Sequence, residues 1–472
     1  MREREEKVEL DREIVRGVCI DHAGAFIRDD AVWAEEINGD YRVSMSIADV
    51  ATLVPPHSSL DNLAYERGFT RYGTNGTGTR HMLPEEVIRA ASLTRREHNT
   101  ITVAVTLDGA TFDIKETRVM PSFLKNERGL SFERVDQITA DGEDPQSERF
   151  REWGFLAERL RAHRRNGAAI ILDRFNEVRK FDWPSPEETY AKWLSYASRS
   201  ISRRIVSEFV TLGGNALALW CRERGLPVLY RNHTASISAT ERTMVLGDID
   251  RAYAGDLSPA EFEALEMRVA AIYGWAFYSP SPMGHGVINM LYIHYSSPMR
   301  RYADLLVQQA LHSKFRGDRH VRTDRELILI SQYINAMRRE AFIGQYPKVH
   351  NRLKQGSAHR SSLSFIVGLG ATAALPPRFD EEEAVDHEPP EPESEAEKAL
   401  DTYTRAQGLC PPRYSVSRSQ YDPRQFRCRV CTNVPFDSTE INAIAYAASA
   451  SESRSRAAST LLTKLVLNLS KP

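Results

Sequence analysis

Between residues 376 and 396 the chain reads Pro376-Pro-Arg-Phe-Asp-Glu-Glu-Glu and then Glu388-Pro-Pro-Glu-Pro-Glu-Ser-Glu. Proline removes the backbone donors that helices and sheets use, and carboxylates at this density cannot be buried together. No hydrophobic core can run through such a segment, so residues 376–396 are expected as a solvated linker that divides the chain. A short tail (residues 1–11) and one large domain (residues 12–375) precede it, and a small domain (residues 397–472) follows.

Two hydrophobic rhythms fill the large segment. Val18-Cys-Ile, Tyr41-Arg-Val-Ser-Met-Ser-Ile and Thr100-Ile-Thr-Val-Ala-Val-Thr-Leu are β-branched runs bounded by Gly, Asp and Asn, which makes residues 12–120 strand-rich. From about residue 145 the period lengthens to that of a helix. Glu148 to Arg165 and Ser200 to Arg224 are amphipathic stretches, the second halted by Gly225-Leu-Pro. Two helices are expected within 238–275, one opened by Ser258-Pro-Ala-Glu, and a long helical region within 299–350. The expected fold class is α+β: a mixed sheet surrounded by helices, joined to a small α-β-β-β-α domain.

Charge sets further bounds. A net charge of −2 over 472 residues is no global signature for nucleic acid. Arginines are nonetheless concentrated in Arg161-Ala-His-Arg-Arg165, Arg199-Ser-Ile-Ser-Arg-Arg204 and Arg300-Arg301, with acids gathered from Asp380 to Glu397. Five cysteines in so long a chain are no disulfide framework. The N-terminus is charged, and no apolar run approaches the roughly 20 residues that span a bilayer. A soluble cytoplasmic protein is expected, or an organellar one from which a transit peptide has been removed.

The segment Cys19-Ile-Asp-His-Ala-Gly-Ala-Phe-Ile-Arg-Asp-Asp-Ala31 carries the chemistry. A short β run delivers Asp21, and a loop with Gly24 leads to the pair Asp29-Asp30. Phosphodiester hydrolysis needs an activated water and a stabilised leaving oxygen, which metal ions held by shared carboxylates supply. Mg²⁺ prefers oxygen ligands of this kind. The segment by itself also reads as ordinary solvated turn chemistry, in which an Asp pair is common.

Together with other blocks the segment resembles the ribonuclease II (RNB) family of 3′→5′ exoribonucleases. Ile20-Asp21 and Asp29-Asp30-Ala31 match the spacing of its aspartate motif. Ser46-Ile-Ala-Asp49-Val, Phe69-Thr-Arg-Tyr-Gly-Thr, Met82-Leu-Pro-Glu-Glu-Val, Arg165-Asn-Gly-Ala-Ala, Arg204-Ile-Val-Ser-Glu-Phe-Val and Gly225-Leu-Pro-Val-Leu-Tyr-Arg-Asn-His follow in family order. Tyr295-Ser-Ser-Pro-Met-Arg-Arg-Tyr-Ala-Asp-Leu matches its strongest signature. The resemblance implies a Mg²⁺-dependent enzyme, with Mn²⁺ as an alternative ion, that takes single-stranded 3′ ends and structured RNA and releases nucleoside 5′-monophosphates.

The same resemblance assigns roles. Asp21, Asp29 and Asp30 hold metal, with Asp29 and Asp30 catalytic. Arg300 contacts the scissile phosphate, and Arg301 forms a structural salt bridge. Tyr72 stacks on the terminal base, and Glu208 and Glu340 stand near the RNA end. Two positions depart from the family. Its second aspartate falls on Ile27, which cannot ligate a cation, so a catalytically inactive RNA-binding protein or adaptor is the alternative. An aromatic wedge falls near Leu172, where Phe175 is a substitute or a core residue. His22 is a metal ligand or a structural histidine.

Family members usually carry cold-shock-type domains before this core and an S1 domain after it. About 11 residues precede the core here, so those N-terminal modules are expected to be absent and the entrance more open. The C-terminal segment instead resembles a double-stranded RNA-binding domain, in Ala399-Leu-Asp-Thr-Tyr-Thr-Arg-Ala-Gln-Gly-Leu-Cys-Pro-Pro-Arg-Tyr-Ser-Val, in Phe426-Arg-Cys-Arg-Val-Cys-Thr and in Ser449 to Leu467. Such domains read A-form shape. Ala450 and Ser451 stand where a lysine pair is expected, leaving Arg454 as the RNA-contacting cation, and protein contact or dimerisation is the other use. Cys428 and Cys431, with Cys410, do not make a zinc site: residues three apart on a strand face opposite ways, and no partner pair follows.

Overall fold

The computed structural model describes residues 10–72, 78–172, 190–194, 200–233, 238–274, 276–318, 320–345, 394–406, 412–418, 426–434 and 437–447, with isolated positions from 452 to 461. The chain falls into two compact units, one running to Gln345 and the other holding the described segments from residue 394 onward.

The first unit is built on a closed five-stranded barrel of β1 (Glu13–Asp21), β2 (Asp30–Ile37), β3 (Asp40–Ala48), β4 (Glu97–Leu107) and β5 (Ile114–Ser131). Neighbours pair antiparallel except at the closure, where β1 runs parallel to β5 from Glu13↔Ser122 to Asp21↔Ser131 with a register shift between Gly17 and Val18. Alternation along the strands sorts side chains onto two faces. Val18, Ile20, Val43, Met45, Ile47, Ile101 and Val103 join one core cluster, whereas Cys19, Ala31, Ala48 and Leu124 join another. Ser46, Thr100, Thr102 and Ser122 are buried and satisfy one another, through Ser46–Thr102 at 2.8 Å, Thr100–Ser122 at 2.7 Å and Thr102–Ser122 at 2.6 Å.

The expected helical stretches form. Between the strands lie the short α1 (Ser59–Arg67) and α2 (Glu85–Ala91); beyond them come α3 (Phe132–Asp141), α4 (Ser147–Asn166), α5 (Ile201–Glu223), α6 (Ala239–Ala254), α7 (Pro259–Gly274), α8 (Tyr302–Arg316) and α9 (Asp324–Gln345). Helix α4 buries Phe150, Trp153, Ala157 and Leu160, a stripe at helical spacing. Helix α7 opens on a capping box in which Ser258 and Glu261 exchange side-chain and backbone hydrogen bonds. A third apolar cluster joins Tyr190, Trp193, Val245, Ile249, Phe262 and Leu265, and Leu172 belongs to it. Leu172 is 8% exposed, so it is a core residue and not a wedge; Phe175 lies outside the described residues.

Helix α8 is tied to the barrel by polar groups. Gln308 accepts from the Val50 amide at 2.9 Å and donates to the Ala48 carbonyl at 2.8 Å. His312 and Arg12 both bind Asp49, at 2.7 Å and 2.6 Å. In the second unit, helix α10 (Glu395–Ala406) precedes three antiparallel strands, β8 (Arg413–Arg418), β9 (Phe426–Val434) and β10 (Asp437–Ala447), in the order β10-β9-β8. The helix begins inside the end of the expected linker; residues 376–393 lie outside the described residues, as do Cys410 and Arg454. No helix among those described is long and apolar enough to cross a membrane.

Burial would raise the pKa of Asp49, but the His312 hydrogen bond and charge, then Arg12, overcome it and hold the carboxyl at about 2. A depressed folded value means that Asp49 adds stability above about pH 4 and that this contribution fades as pH falls toward 2. Asp49→Asn removes the carboxylate that Arg12 and His312 share. It is expected to cost about 3–5 kcal/mol in urea unfolding at pH 7, with much of that difference gone at pH 2; a cost that does not change with pH would refute the ion-pair origin.

Candidate active site

The site is assembled from four chain segments. Strand β1 ends on Asp21, whose carboxylate accepts from the His22 amide at 2.8 Å. The turn that follows has Gly24 at φ 74° and is closed by the Ala25 amide on the His22 carbonyl. It then runs along Ser92-Leu93: the Arg28 amide donates to Ser92 Oγ at 3.0 Å, Ser92 Oγ donates to the Phe26 carbonyl at 3.2 Å, and the Leu93 amide donates to the Arg28 carbonyl. This pinning delivers Asp29 and Asp30 to the start of β2. The Ala48 amide on the Asp29 carbonyl, at 2.8 Å, continues the β2–β3 pairing into the site.

The third segment is Ser296 to Tyr302. The Ser297 carbonyl accepts from the amides of Arg300 and Arg301, and the Ser297 amide donates to Asp304 at 2.8 Å. This tight turn points the Met299 amide and Arg300 Nε at opposite oxygens of Asp29, each at 3.3 Å. Arg301 turns away and grips Asp304 in a fork, Nε at 2.9 Å and Nη2 at 2.7 Å, which is the structural salt bridge expected of it. The fourth segment, Gly68 to Tyr72, is laid beside the third by the Thr70 amide on the Arg300 carbonyl and the Tyr302 amide on the Gly68 carbonyl. Gly68 sits at φ 68°, and a Cβ there would lie 2.9 Å from Met337 Sδ, so only glycine permits this approach. The result is Tyr72, 55% exposed, with its hydroxyl within the influence of the Arg300 charge.

Asp21, Asp29, Asp30, Arg300 and Tyr72 are thus brought together as the sequence motifs anticipate. Glu208 is not an open acid: it is 1% exposed and binds Arg164 at 2.8 Å, with Arg161 at 3.8 Å. It orders an arginine pair behind Tyr292. Glu340 lies on α9, and its side chain is outside what the structure describes. His22 packs edge-on against Phe132, their centroids 5.1 Å apart, which is a structural contact. Ile27, partly buried, packs against the second core cluster, as do Phe26 and Val87. Arg28 was not anticipated, yet its charge acts on Asp21. Its position one residue before the Asp pair was the available signal.

The carboxylates are held in a state that invites a cation. Burial raises Asp30 to about 7, with the like charges of Asp29 and Asp21 adding to it. Burial likewise raises Asp29 to about 6, partly offset by Arg300, and raises Asp21. No hydrogen-bond donor among the described residues reaches the Asp30 carboxylate. An all-oxygen donor set of this charge fits a hard ion that keeps several waters. Among the described residues, however, no three carboxylate, His or Cys side chains converge as a ready-made ligand cluster.

The folded chain holds the Asp29 and Asp30 protons more tightly than the unfolded chain, so ionisation subtracts stability as pH climbs from about 4 through 6 and 7. Asp30→Asn is therefore expected to raise Tm at pH 8 by roughly 2–4 °C or more and to leave it nearly unchanged at pH 5. Calorimetry at the two pH values checks this; an equal shift at both would show that like-charge burial is not the cause.

A family model described as RNB domain matches residues 12–317. Ribonuclease R of Thermotoga maritima is 27% identical over 325 residues, which cover 62% of this chain and 44% of that protein. The chain spans less than half the length of the ribonuclease R proteins of Thermotoga maritima, Lactococcus lactis and Aquifex aeolicus that it matches. Among solved structures, Mycoplasma genitalium RNase R in complex with double-stranded RNA aligns with a TM-score of 0.56 at 19% identity, covering 74% of this chain and 68% of that one. Yeast Ssd1, described as a pseudonuclease, aligns at 0.53 and 18%, covering 92% of this chain and 50% of that one. At these identities the structural matches show a shared fold.

Proposed function

Because the chain belongs to the RNB domain family, we propose that it is a Mg²⁺-dependent 3′→5′ exoribonuclease that hydrolyses RNA to nucleoside 5′-monophosphates. The observation that carries this reading is the convergence of Arg300 and Tyr72, from distant segments, on the carboxylates of Asp21, Asp29 and Asp30. Tyr72 offers an exposed ring on which a 3′-terminal base stacks, a contact indifferent to sequence and worth roughly 1–3 kcal/mol. Arg300, 41% exposed at its side chain, exchanges its contact with Asp29 for the non-bridging oxygens of the last phosphodiester and offsets the charge that develops there. Asp30, with Asp29 or Asp21, would hold a Mg²⁺ or Mn²⁺ ion, which when bound supplies a water of lowered pKa. Attack by water on phosphorus breaks the bond to the preceding O3′. The products are a nucleoside 5′-monophosphate and a strand shortened by one residue.

A second reading has its own support. Ile27 fills an apolar niche where the family has a carboxylate, and Arg300 already neutralises Asp29. Both suit a protein that grips RNA without cutting it. For the second unit we propose a double-stranded RNA-binding-like domain, supported by the order α10-β8-β9-β10.

The test is 5′-labelled single-stranded RNA with Mg²⁺ or Mn²⁺, beside Asp29→Asn. Laddering from the 3′ end that the variant lacks is expected, with Arg300→Ala slower by about 10²–10³ and Tyr72→Ala weaker in binding. Retained binding with no cleavage would overturn hydrolysis in favour of the second reading. Ile27→Asp is no simple rescue, since it places a carboxylate among Phe26 and Val87.

A further inference from the structure

Near Arg301 lies a cluster with an excess of positive charge around the buried Arg231. Strands β6 (Tyr230–Asn232) and β7 (Phe277–Ser279) pair Arg231 with Tyr278. The Arg231 guanidinium lies over the Tyr278 ring, 4.8 Å from its centroid, and Arg338 of α9 lies over the same ring at 5.6 Å. The Tyr278 hydroxyl is 2.6 Å from His294 Nδ1, and His294 stands edge-on to both Tyr278 and Tyr292. The backbone amide of Arg231 donates to the Tyr292 carbonyl at 2.8 Å, which fixes the root of its side chain.

Arg231 is 6% exposed, its Nη1 has no hydrogen-bond partner, and no carboxylate among the described residues pairs with it. A buried guanidinium normally satisfies its donors on carbonyls or a carboxylate, because leaving them unmatched is costly. The groups around it make matters worse. Burial, then Arg338 and Arg301, oppose its charge. His294 is held neutral by burial and then by the same arginines, and Asp304 is already committed to Arg301. Among the described residues the cluster has no uncommitted anion. His294, Tyr292, Arg301 and Arg338 are each only half-buried. The cluster adjoins the carboxylates, since Asp29 and Asp30 both feel the Arg301 charge.

We propose that Arg231, flanked by Arg338 and Arg301, is a phosphate-binding subsite that takes a backbone phosphodiester of the RNA strand, upstream of the bond presented to Asp29 and Asp30. The inference rests on the reading that this chain handles RNA. The fork of Arg231 grips two non-bridging oxygens, as guanidinium does with phosphate. Arg338 and Arg301 add long-range attraction. Bound phosphate supplies the acceptor that the fold withholds from Nη1. In the unbound chain the same arginine is a source of instability, so this side chain trades folding free energy for strand binding.

The experiment uses the full chain in EDTA, so that no cleavage intervenes, and follows binding of a fluorescent 12-nucleotide single strand across a salt series. Arg231→Gln is expected to weaken binding about tenfold and to reduce the slope of log K against log salt by about 0.7, while its Tm equals or exceeds that of the parent. Arg338→Gln, at the rim, is expected to reduce the slope with a smaller loss of affinity. Unchanged affinity and slope in both variants would overturn the proposal, as would a lower Tm for Arg231→Gln with RNA binding intact. Inorganic phosphate and a nucleoside 5′-monophosphate serve as separate probes. If either raises the Tm of the parent but not of Arg231→Gln, while RNA affinity is unaffected, the cluster serves a free anion and the strand assignment fails. Arg231-dependent binding without cleavage in Mg²⁺ would overturn the proposed hydrolysis and leave the subsite standing; cleavage with an unaltered Arg231→Gln slope would do the reverse.

Discussion

A helix held to a sheet by apolar contacts alone can shift by a turn at modest cost, and α8 is prevented from doing so. Asp304, Gln308 and His312 recur at four-residue intervals along one face and are all buried. Each has a partner that cannot be exchanged: the Ser297 amide, the backbone of Ala48 and Val50, and the Asp49 carboxylate. Gln309 adds the Val54 carbonyl and Asp61. Directional bonds of this kind are worth little net when made and much when broken, so they set register more than they add stability. Through the turn at Ser297 that register becomes the position of Arg300 on Asp29. The chemistry of the site therefore depends on a polar clasp along the helix that follows it.

Fastened backbone also keeps the carboxylates close to one another. Three acids raised by burial, Asp30 also by the charges of Asp29 and Asp21, would drive the loops apart if they were free to move. The Arg28 loop is fastened to Ser92 and Leu93, and the Gly68 segment is fastened to Arg300 and Tyr302. Fixed backbone turns mutual repulsion into raised pKa values instead of motion. Arg300 relieves part of it from one side, leaving Asp30 the group with most to gain from a cation.

Much of this was legible in the residues. The change from two-residue to helical periodicity located β1, β3, β4 and α4 to α9, and left β2 and β5 unnamed within a strand-rich region; the Tyr295–Leu311 block announced the Arg300 turn. The spacing of Asp21, Asp29 and Asp30 announced the carboxylates. What stayed hidden depended on partners far along the chain. Glu208 looked like an acid for RNA until Arg164 was seen against it. Leu172 looked like a missing wedge until it was found in a core with Tyr190 and Trp193. Ile27 could be read as a lost ligand, but not as a residue packed against the second core cluster. Arg231 was visible in Tyr230-Arg-Asn-His only as a motif match; that its Nη1 lacks an acceptor is a property of the surroundings, which no local pattern encodes.

The parallel seam between β1 and β5 has a consequence for synthesis. A strand made first must wait for one made fifth before the barrel can close, because Glu13 to Asp21 finds its second neighbour only at Ser122 to Ser131. Contacts so distant along the chain are the slow ones to form. The clasp that aims Arg300 comes later still, since Gln308 and His312 emerge well after the barrel is complete. Asp29 and Asp30 are made before Arg300 and stay without their arginine until α8 docks. The carboxylates and the arginine that pairs with one of them are thus united only in the last stage of the domain's folding.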